Sequence, residues 1–217
     1  MTREYHQTVY APPPGAVDIF LVRHGQSAGA RPGESFPMKD GHGDPELHPN
    51  GHDQAAAVGR RLAGAGLQAI YVTTLQRTHQ TAAPLVGATG LQPMVEADLR
   101  EVCLGDWDGG EYRIRAANND PIWQRAKEDQ EWGHLPNAET TAGLHERVTR
   151  GLLRLAAAHP DQRIAAFVHG GVIGAAMAIA SGSRAFAFHG AANGSISRLV
   201  IKGDQMTIRG FNDCAHL

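Results

Sequence analysis

The chain has 217 residues, 42% hydrophobic and 19% charged, a composition that suits one well-buried core and leaves no second domain's worth of sequence. A formal net charge of -2 at pH 7 offers no global attraction to nucleic acid or to an anionic membrane surface, so any anion site must be local. Two cysteines, Cys103 and Cys214, form no metal-ligand pair in sequence and point to a reduced, cytoplasmic protein.

Residues 1–16 include three consecutive prolines and no continuous apolar run. They match neither a leader nor a membrane span, and they predict a mobile N-terminal arm ahead of a single domain at 17–217. The run Val17 to Val22 is too short for a typical helix and stops at Arg23-His24-Gly25, so it reads as a buried strand ending in a site. Ala28 to Asn50, rich in Gly, Pro and polar residues, predicts a long functional loop. Ala55, Val58 and Leu62 then recur at helical spacing within Gly51 to Ala65, an amphipathic helix for packing on a sheet.

Gln68 to Val72 predicts a second strand. The helix that follows it starts at about Gln76, carries Ala82, Leu85 and Val86 on one face, and ends near Gly87 or Gly90. Arg77 thereby arrives at a helix N-terminus, where free main-chain N–H groups and the helix dipole favour an anion. Pro93 to Val95 reads as a third strand, and Leu99 to Gly109 as a glycine-punctuated loop that carries Glu101. Between Glu111 and Trp132 the pattern predicts one or two short helices forming a lid or side wall, with Ile114, Trp123 and Trp132 as apolar anchors.

Thr141 is the expected N-cap of the longest helix, in which Leu144, Val148, Leu152 and Leu155 recur until His159-Pro160. Arg163 to Val168 is a fourth strand stopping at His169-Gly170-Gly171, and a helix over Val172 to Ala180 follows. Ser195 to Ile201 and Met206 to Phe211 predict a closing hairpin with a four-residue turn, Lys202 to Gln205. Strands alternating with helices imply an α/β fold: a three-layer sandwich with helices on both faces of a mostly parallel mixed sheet with an antiparallel edge.

Parallel strands end on one edge, so Arg23, His24, Arg77 and His169 can converge although they span nearly 150 positions. Two guanidinium and two imidazole groups make a pocket for a dianion, with arginine's planar fork matched to phosphate oxygens. Surrounding cations lower a histidine's proton affinity, which makes His24 the candidate nucleophile and phosphohistidine the expected intermediate. A leaving alkoxide needs a proton, and Glu101 is placed to give one and then to activate water. No HExxH motif or Cys/His cluster accompanies the 12 histidines, most of which read as solvated surface groups, and neither metal nor cofactor is expected.

Arg23-His24-Gly25-Gln26-Ser27, Leu75 to Ala82, Leu99-Arg100-Glu101 followed by Gly105 to Gly109, and Val168-His169-Gly170-Gly171 together resemble the histidine phosphatase superfamily, also called phosphoglycerate mutase-like, from about Ile19 to Leu217. That resemblance implies His24 as nucleophile, Arg23, Arg77 and His169 as phosphoryl ligands, Glu101 as acid and base, a metal-independent reaction and a mixed α/β sheet. Ala30 stands where many members carry an asparagine, so one phosphate contact is missing or supplied from elsewhere. Arg113 and Arg115 are not the adjacent arginine pair of the cofactor-dependent mutases, and the Gly-x-Trp-x-Gly form at Gly105 to Gly109 is similar to the phosphatase branches.

The expected activity is hydrolysis of a small-molecule phosphomonoester, the alternatives being a mutase-type phosphotransferase and a phosphate-binding module with little activity. Ser27, Glu139 and Gly170 are candidate supporting or specificity residues, and Lys39, His42, Arg113, Arg115 and His189 are further specificity candidates, each equally readable as solvated surface. A homodimer through an exposed strand or helix is compatible with the sequence.

Overall fold

In the computed structural model of this protein, which describes residues 4–217, six strands line up in the order β5-β4-β6-β1-β7-β8. They are β1 (Val17–Arg23), β4 (Ala69–Val72), β5 (Pro93–Val95), β6 (Arg163–Val168), β7 (Ile196–Lys202) and β8 (Gln205–Asp213), while β2 (Met38–Lys39) and β3 (His42–Gly43) form a separate small hairpin. Strands β5, β4, β6 and β1 run parallel; β7 and β8 are antiparallel to their neighbours, giving the expected antiparallel edge.

Both faces of the sheet are covered, which is why its central strands read as near-continuous apolar runs. Ile19, Leu21, Ala166 and Val168 pack with Leu144, Val148 and Leu152 of α5 (Thr141–Ala158) and with Val172 and Ile173 of α6 (Gly170–Ser181). On the other face Val22, Ala165 and Phe167 meet Val58 and Leu62 of α1 (Pro49–Leu62) and Leu85 of α2 (Gln76–Thr89). Two shorter helices, α3 (Glu111–Ala117) and α4 (Pro121–Asp129), make the side wall, with Trp123 and Trp132 stacked at 5.6 Å. No helix among the described residues is long and apolar enough to cross a membrane.

Several element ends differ from the sequence expectation for local reasons. Helix α1 begins at Pro49 because His48 caps it, its Nδ1 accepting from Asn50 N at 3.2 Å, and Pro fits the first helical position. The cap of α5 is Thr140 rather than Thr141: Thr140 Oγ1 accepts from Gly143 N at 3.1 Å, while Thr141 Oγ1 accepts from Trp132 N at 3.0 Å. Helix α6 starts two residues before Val172 because His169 itself is the extended residue at its N-cap.

The final hairpin turns in two residues, Gly203 and Asp204, instead of four. The Ala28 to Asn50 loop is not wholly irregular: Asp40 and Gly41, both at positive φ, turn the β2–β3 hairpin, as an Asp-Gly pair favours. Of the predicted arm, residues 1–3 lie outside the described residues; the remainder lacks regular structure, and the Arg209 guanidinium lies 3.5 Å from the centre of the Tyr10 ring.

Candidate active site

Strand β6 lies between β1 and β4, so the loops leaving the C-terminal ends of all three are neighbours. Arg23 pairs with Val168 in the sheet register, and His24 N donates to Val168 O at 3.0 Å, so His24 and His169 emerge side by side with ring centroids 5.2 Å apart. Arg77 comes from the first turn of α2 and is buried against them.

The protonation of His24 follows from its partners. Arg77 Nε, which can only donate, lies 3.2 Å from His24 Nε2, so that nitrogen carries a lone pair. The ring proton is then on Nδ1, 2.7 Å from Gly25 O, which fixes the tautomer. Burial, and after it the charges of Arg77 and Arg23, hold the His24 proton affinity well below the ordinary imidazole value. His169 is depressed in the same way by burial, Arg77 and His24; its Nε2 meets Thr73 Oγ1 at 2.9 Å and its Nδ1 is buried without a partner.

Both arginines are anchored by backbone carbonyls. Arg23 Nη1 donates to Ala191 O, and its Nε is buried without a partner. Arg77 Nη1 donates to Gly43 O at 2.9 Å and sits 3.8 Å from Asp44; burial lowers its pKa to about 10. Buried donors left open beside a neutral imidazole have the chemistry of an anion cradle.

Glu101 lies across the same cavity, its Oε1 accepting from Val102 N and Gly171 N, each at 3.0 Å. A Cβ on Gly171 would fall 2.6 Å from that oxygen, and one on Gly170 would fall 3.2 Å from Arg23 Nε. Both glycines thus permit close approach of a functional side chain. Gly25 serves a different contact: a Cβ there would lie 2.4 Å from Gly51 O, so its bareness serves the packing of the loop on α1.

The cavity has a volume of about 410 Å³, and Phe36, Trp107, Tyr112 and Trp132 give it an aromatic wall. Arg23, His24, Arg77, Glu101, Ser27 and Gly170 line it; Glu139 is not part of the lining, and neither is His169, which is fully buried with its ring 5.2 Å from that of His24. Of the further specificity candidates, His42, Arg113 and His189 reach the cavity. Arg113 donates to Ser27 Oγ at 2.8 Å and Ala28 O at 2.7 Å. Arg115 instead pairs with Glu111 and Asp120 at 2.7 and 2.9 Å, and Lys39 is exposed outside the lining. Ala30 packs beside Gly110 near this wall.

Sequence reasoning missed Arg147, whose Nε donates to Glu139 Oε2 at 3.0 Å and whose other N–H groups reach the loop carrying Glu101. It also missed the role of Thr73 in orienting His169. Neither has a local signal, since one is a charge on a long helix and the other a threonine after a strand.

A family model described as "Histidine phosphatase superfamily (branch 1)" matches residues 19–214. A protein of Erwinia tasmaniensis named as a probable phosphoglycerate mutase is 26% identical over 63% of this chain, and the chain spans only 61% of that relative's length. An adenosylcobalamin/alpha-ribazole phosphatase of Escherichia coli is 26% identical over 71% of this chain and 74% of its own. The structure of a mycobacterial glucosyl-3-phosphoglycerate phosphatase superposes with a TM-score of 0.75 at 26% identity, covering 90% of this chain and 98% of that one.

Proposed function

This chain belongs to the histidine phosphatase superfamily, branch 1, and from that premise we propose that it is a phosphomonoester hydrolase acting on a small phosphorylated metabolite in the cytoplasm, without metal or cofactor. One observation carries the reading: His24 Nε2 is a lone-pair nitrogen that accepts from Arg77 Nε at 3.2 Å, in a ring whose proton affinity is lowered by burial and by the charges of Arg77 and Arg23. A cationic pocket that depresses its histidine keeps a nucleophile available at neutral pH, while the same charges bind the phosphoryl oxygens.

In the first step the His24 Nε2 lone pair forms a bond to phosphorus as the P–O bond to the leaving group breaks. Glu101 gives that oxygen its proton, with Arg23, Arg77 and His169 stabilising the charge on the three remaining phosphoryl oxygens. In the second step the Glu101 carboxylate takes a proton from water, the water oxygen bonds to phosphorus, and the N–P bond breaks to release inorganic phosphate and neutral His24. Val102 N and Gly171 N, both on Oε1, leave Oε2 as the oxygen that exchanges the proton.

The test is hydrolysis of p-nitrophenyl phosphate with detection of an acid-labile phosphoenzyme. Wild-type protein is expected to turn over and to trap label, and the reading fails if His24→Ala does either equally well. Similarity to proteins named as phosphoglycerate mutases favours a second reading, transfer in place of hydrolysis. Arg115, held by Glu111 and Asp120, leaves Arg113 without a paired arginine for a substrate carboxylate, which supports hydrolysis. Isomerisation of 3-phosphoglycerate with and without 2,3-bisphosphoglycerate discriminates the two.

A further inference from the structure

Resting on the proposed hydrolase reading, we infer that His42 and Arg147 are positioning residues that hold the proton donor Glu101 in place through one shared backbone carbonyl. Glu101 lies in a stretch without regular secondary structure, between short 3-10 turns at Ala97–Leu99 and Gly105–Gly110, so no helix or strand fixes its backbone. Its carbonyl oxygen accepts from His42 Nε2 at 3.0 Å and from Arg147 Nη2 at 2.9 Å. These side chains approach from β3 in the first loop and from α5, so two separate elements grip one peptide.

Arg147 spends all five of its N–H donors on this task. Nη1 donates to Asp98 O at 2.9 Å and Arg100 O at 2.7 Å, while Nε and Nη2 form a fork onto both Glu139 oxygens in addition to the Glu101 carbonyl. Glu139 Oε1 continues the clamp by accepting from Cys103 N at 2.7 Å. Four positions of the loop, 98, 100, 101 and 103, are therefore fastened to one ion pair that also keeps the guanidinium aligned. On the other side the second ring nitrogen of His42 lies 2.9 Å from Asp40 O in the β2–β3 turn.

Neither side chain donates to the Glu101 carboxyl, so neither binds substrate or carries the proton through these bonds. Their effect is on where the carboxyl stands. Misplacing a catalytic group by about 1 Å can cost roughly a hundredfold in rate, and the loss falls on the step that uses the misplaced group. For Glu101 in the first half-reaction that step is protonation of the leaving oxygen, which matters greatly for an alkyl alcohol and little for p-nitrophenolate.

The experiment compares kcat and KM of wild type, Arg147→Gln, His42→Ala, Glu101→Gln and the double variant Glu101→Gln/Arg147→Gln on an alkyl phosphomonoester, glycerol 1-phosphate, and on p-nitrophenyl phosphate, with thermal melting of each. Arg147→Gln and His42→Ala are expected to lower kcat/KM, which reports the first half-reaction, on the alkyl ester by roughly ten- to a hundredfold and to lower it distinctly less on the aryl ester. In the double variant the Arg147 change is expected to add little to the Glu101 loss, because both act through one group. Equal losses of kcat/KM on both esters, unchanged kcat/KM, or full additivity with Glu101→Gln overturn the inference. If Arg147→Gln does not fold, His42→Ala decides by the same comparison. Wild-type protein inert on both esters while still trapping label overturns the hydrolase reading, and this inference falls with it.

Discussion

Arg77 Nε donates to His24 Nε2 across 3.2 Å, so the atom that attacks phosphorus in the proposed reaction is held by one of the groups meant to receive the phosphoryl oxygens. In the proposed reaction the guanidinium turns its donors to the bound anion and frees the lone pair. Arg77→Lys keeps the charge and loses the planar fork. With a charged hydrogen bond worth about 1.5–3 kcal/mol, kcat/KM on p-nitrophenyl phosphate should fall roughly ten- to a hundredfold. Inhibition by inorganic phosphate should weaken in parallel, and retention of both would show that Arg77 only packs the loop.

The depressed histidines make stability depend on pH in a definite direction. An unfolded imidazole takes a proton near pH 6.5, whereas His24 and His169, buried first and then opposed by Arg77, stay neutral well below that value. The unfolded state therefore binds more protons, and the stabilisation present above about pH 6.5 is lost as pH falls through the window beneath it, by up to roughly 1.4 kcal/mol per pH unit for each such group. Denaturant unfolding of the ligand-free protein between pH 7 and pH 5 should show this slope, and His24→Gln should reduce it. An unchanged slope in that variant would mean that His24 is already charged in the fold.

The two arginines and two histidines were legible because each follows an apolar run that can only be a buried strand, or opens a helix just after one; adjacency in sequence carries the information. What joins them across the cavity was not legible. Arg147 stands on α5 among ordinary charged residues, and its partners are mostly carbonyl groups, which every residue possesses. His42 was readable as surface, yet the β2–β3 hairpin turns its ring to the Glu101 carbonyl. Caps slipped by a residue where two threonines stand together, Thr140 and Thr141, because both hydroxyls find partners and only tertiary contact with Trp132 tells them apart. Asp18, one charge within the apolar run Val17 to Val22, has no sequence signal for the two arginines that hold it.

Gly25 tests whether the nucleophile's place depends on the packing beneath it. Gly25 N donates to Thr81 Oγ1 at 3.0 Å, and its Cα is pressed against Gly51 at the start of α1. Gly25→Ala would set a methyl group 2.4 Å from Gly51 O, against backbone that cannot rotate away. Overpacking of this kind costs about 1–3 kcal/mol, and relief by shifting residue 25 moves the carbonyl that orients His24. A lower melting temperature together with a lower kcat is expected. Full activity with lowered stability would separate the two roles.

Asp18 offers the opposite case, a charge whose loss should cost stability and leave activity alone. Burial alone would raise its pKa, but the hydrogen bonds from Arg198 and Arg163, at 2.7 and 2.8 Å, outweigh that and lower it. A carboxylate depressed in the fold stabilises it above the unfolded value near 3.8, and the contribution disappears as pH falls through the lowered one. Its window thus lies below that of the histidines, and the two can be told apart in one titration. Asp18→Asn keeps the shape and removes the charge that two arginines share; because both retain access to water, the cost should be nearer 1–3 kcal/mol than the larger penalty of a fully buried ion. Asp18 sits at the opposite end of β1 from His24, roughly 20 Å away at about 3.3 Å per residue, so kcat/KM at pH 7 should be unchanged. A drop in kcat/KM at full stability would show that this end of β1 communicates with the site.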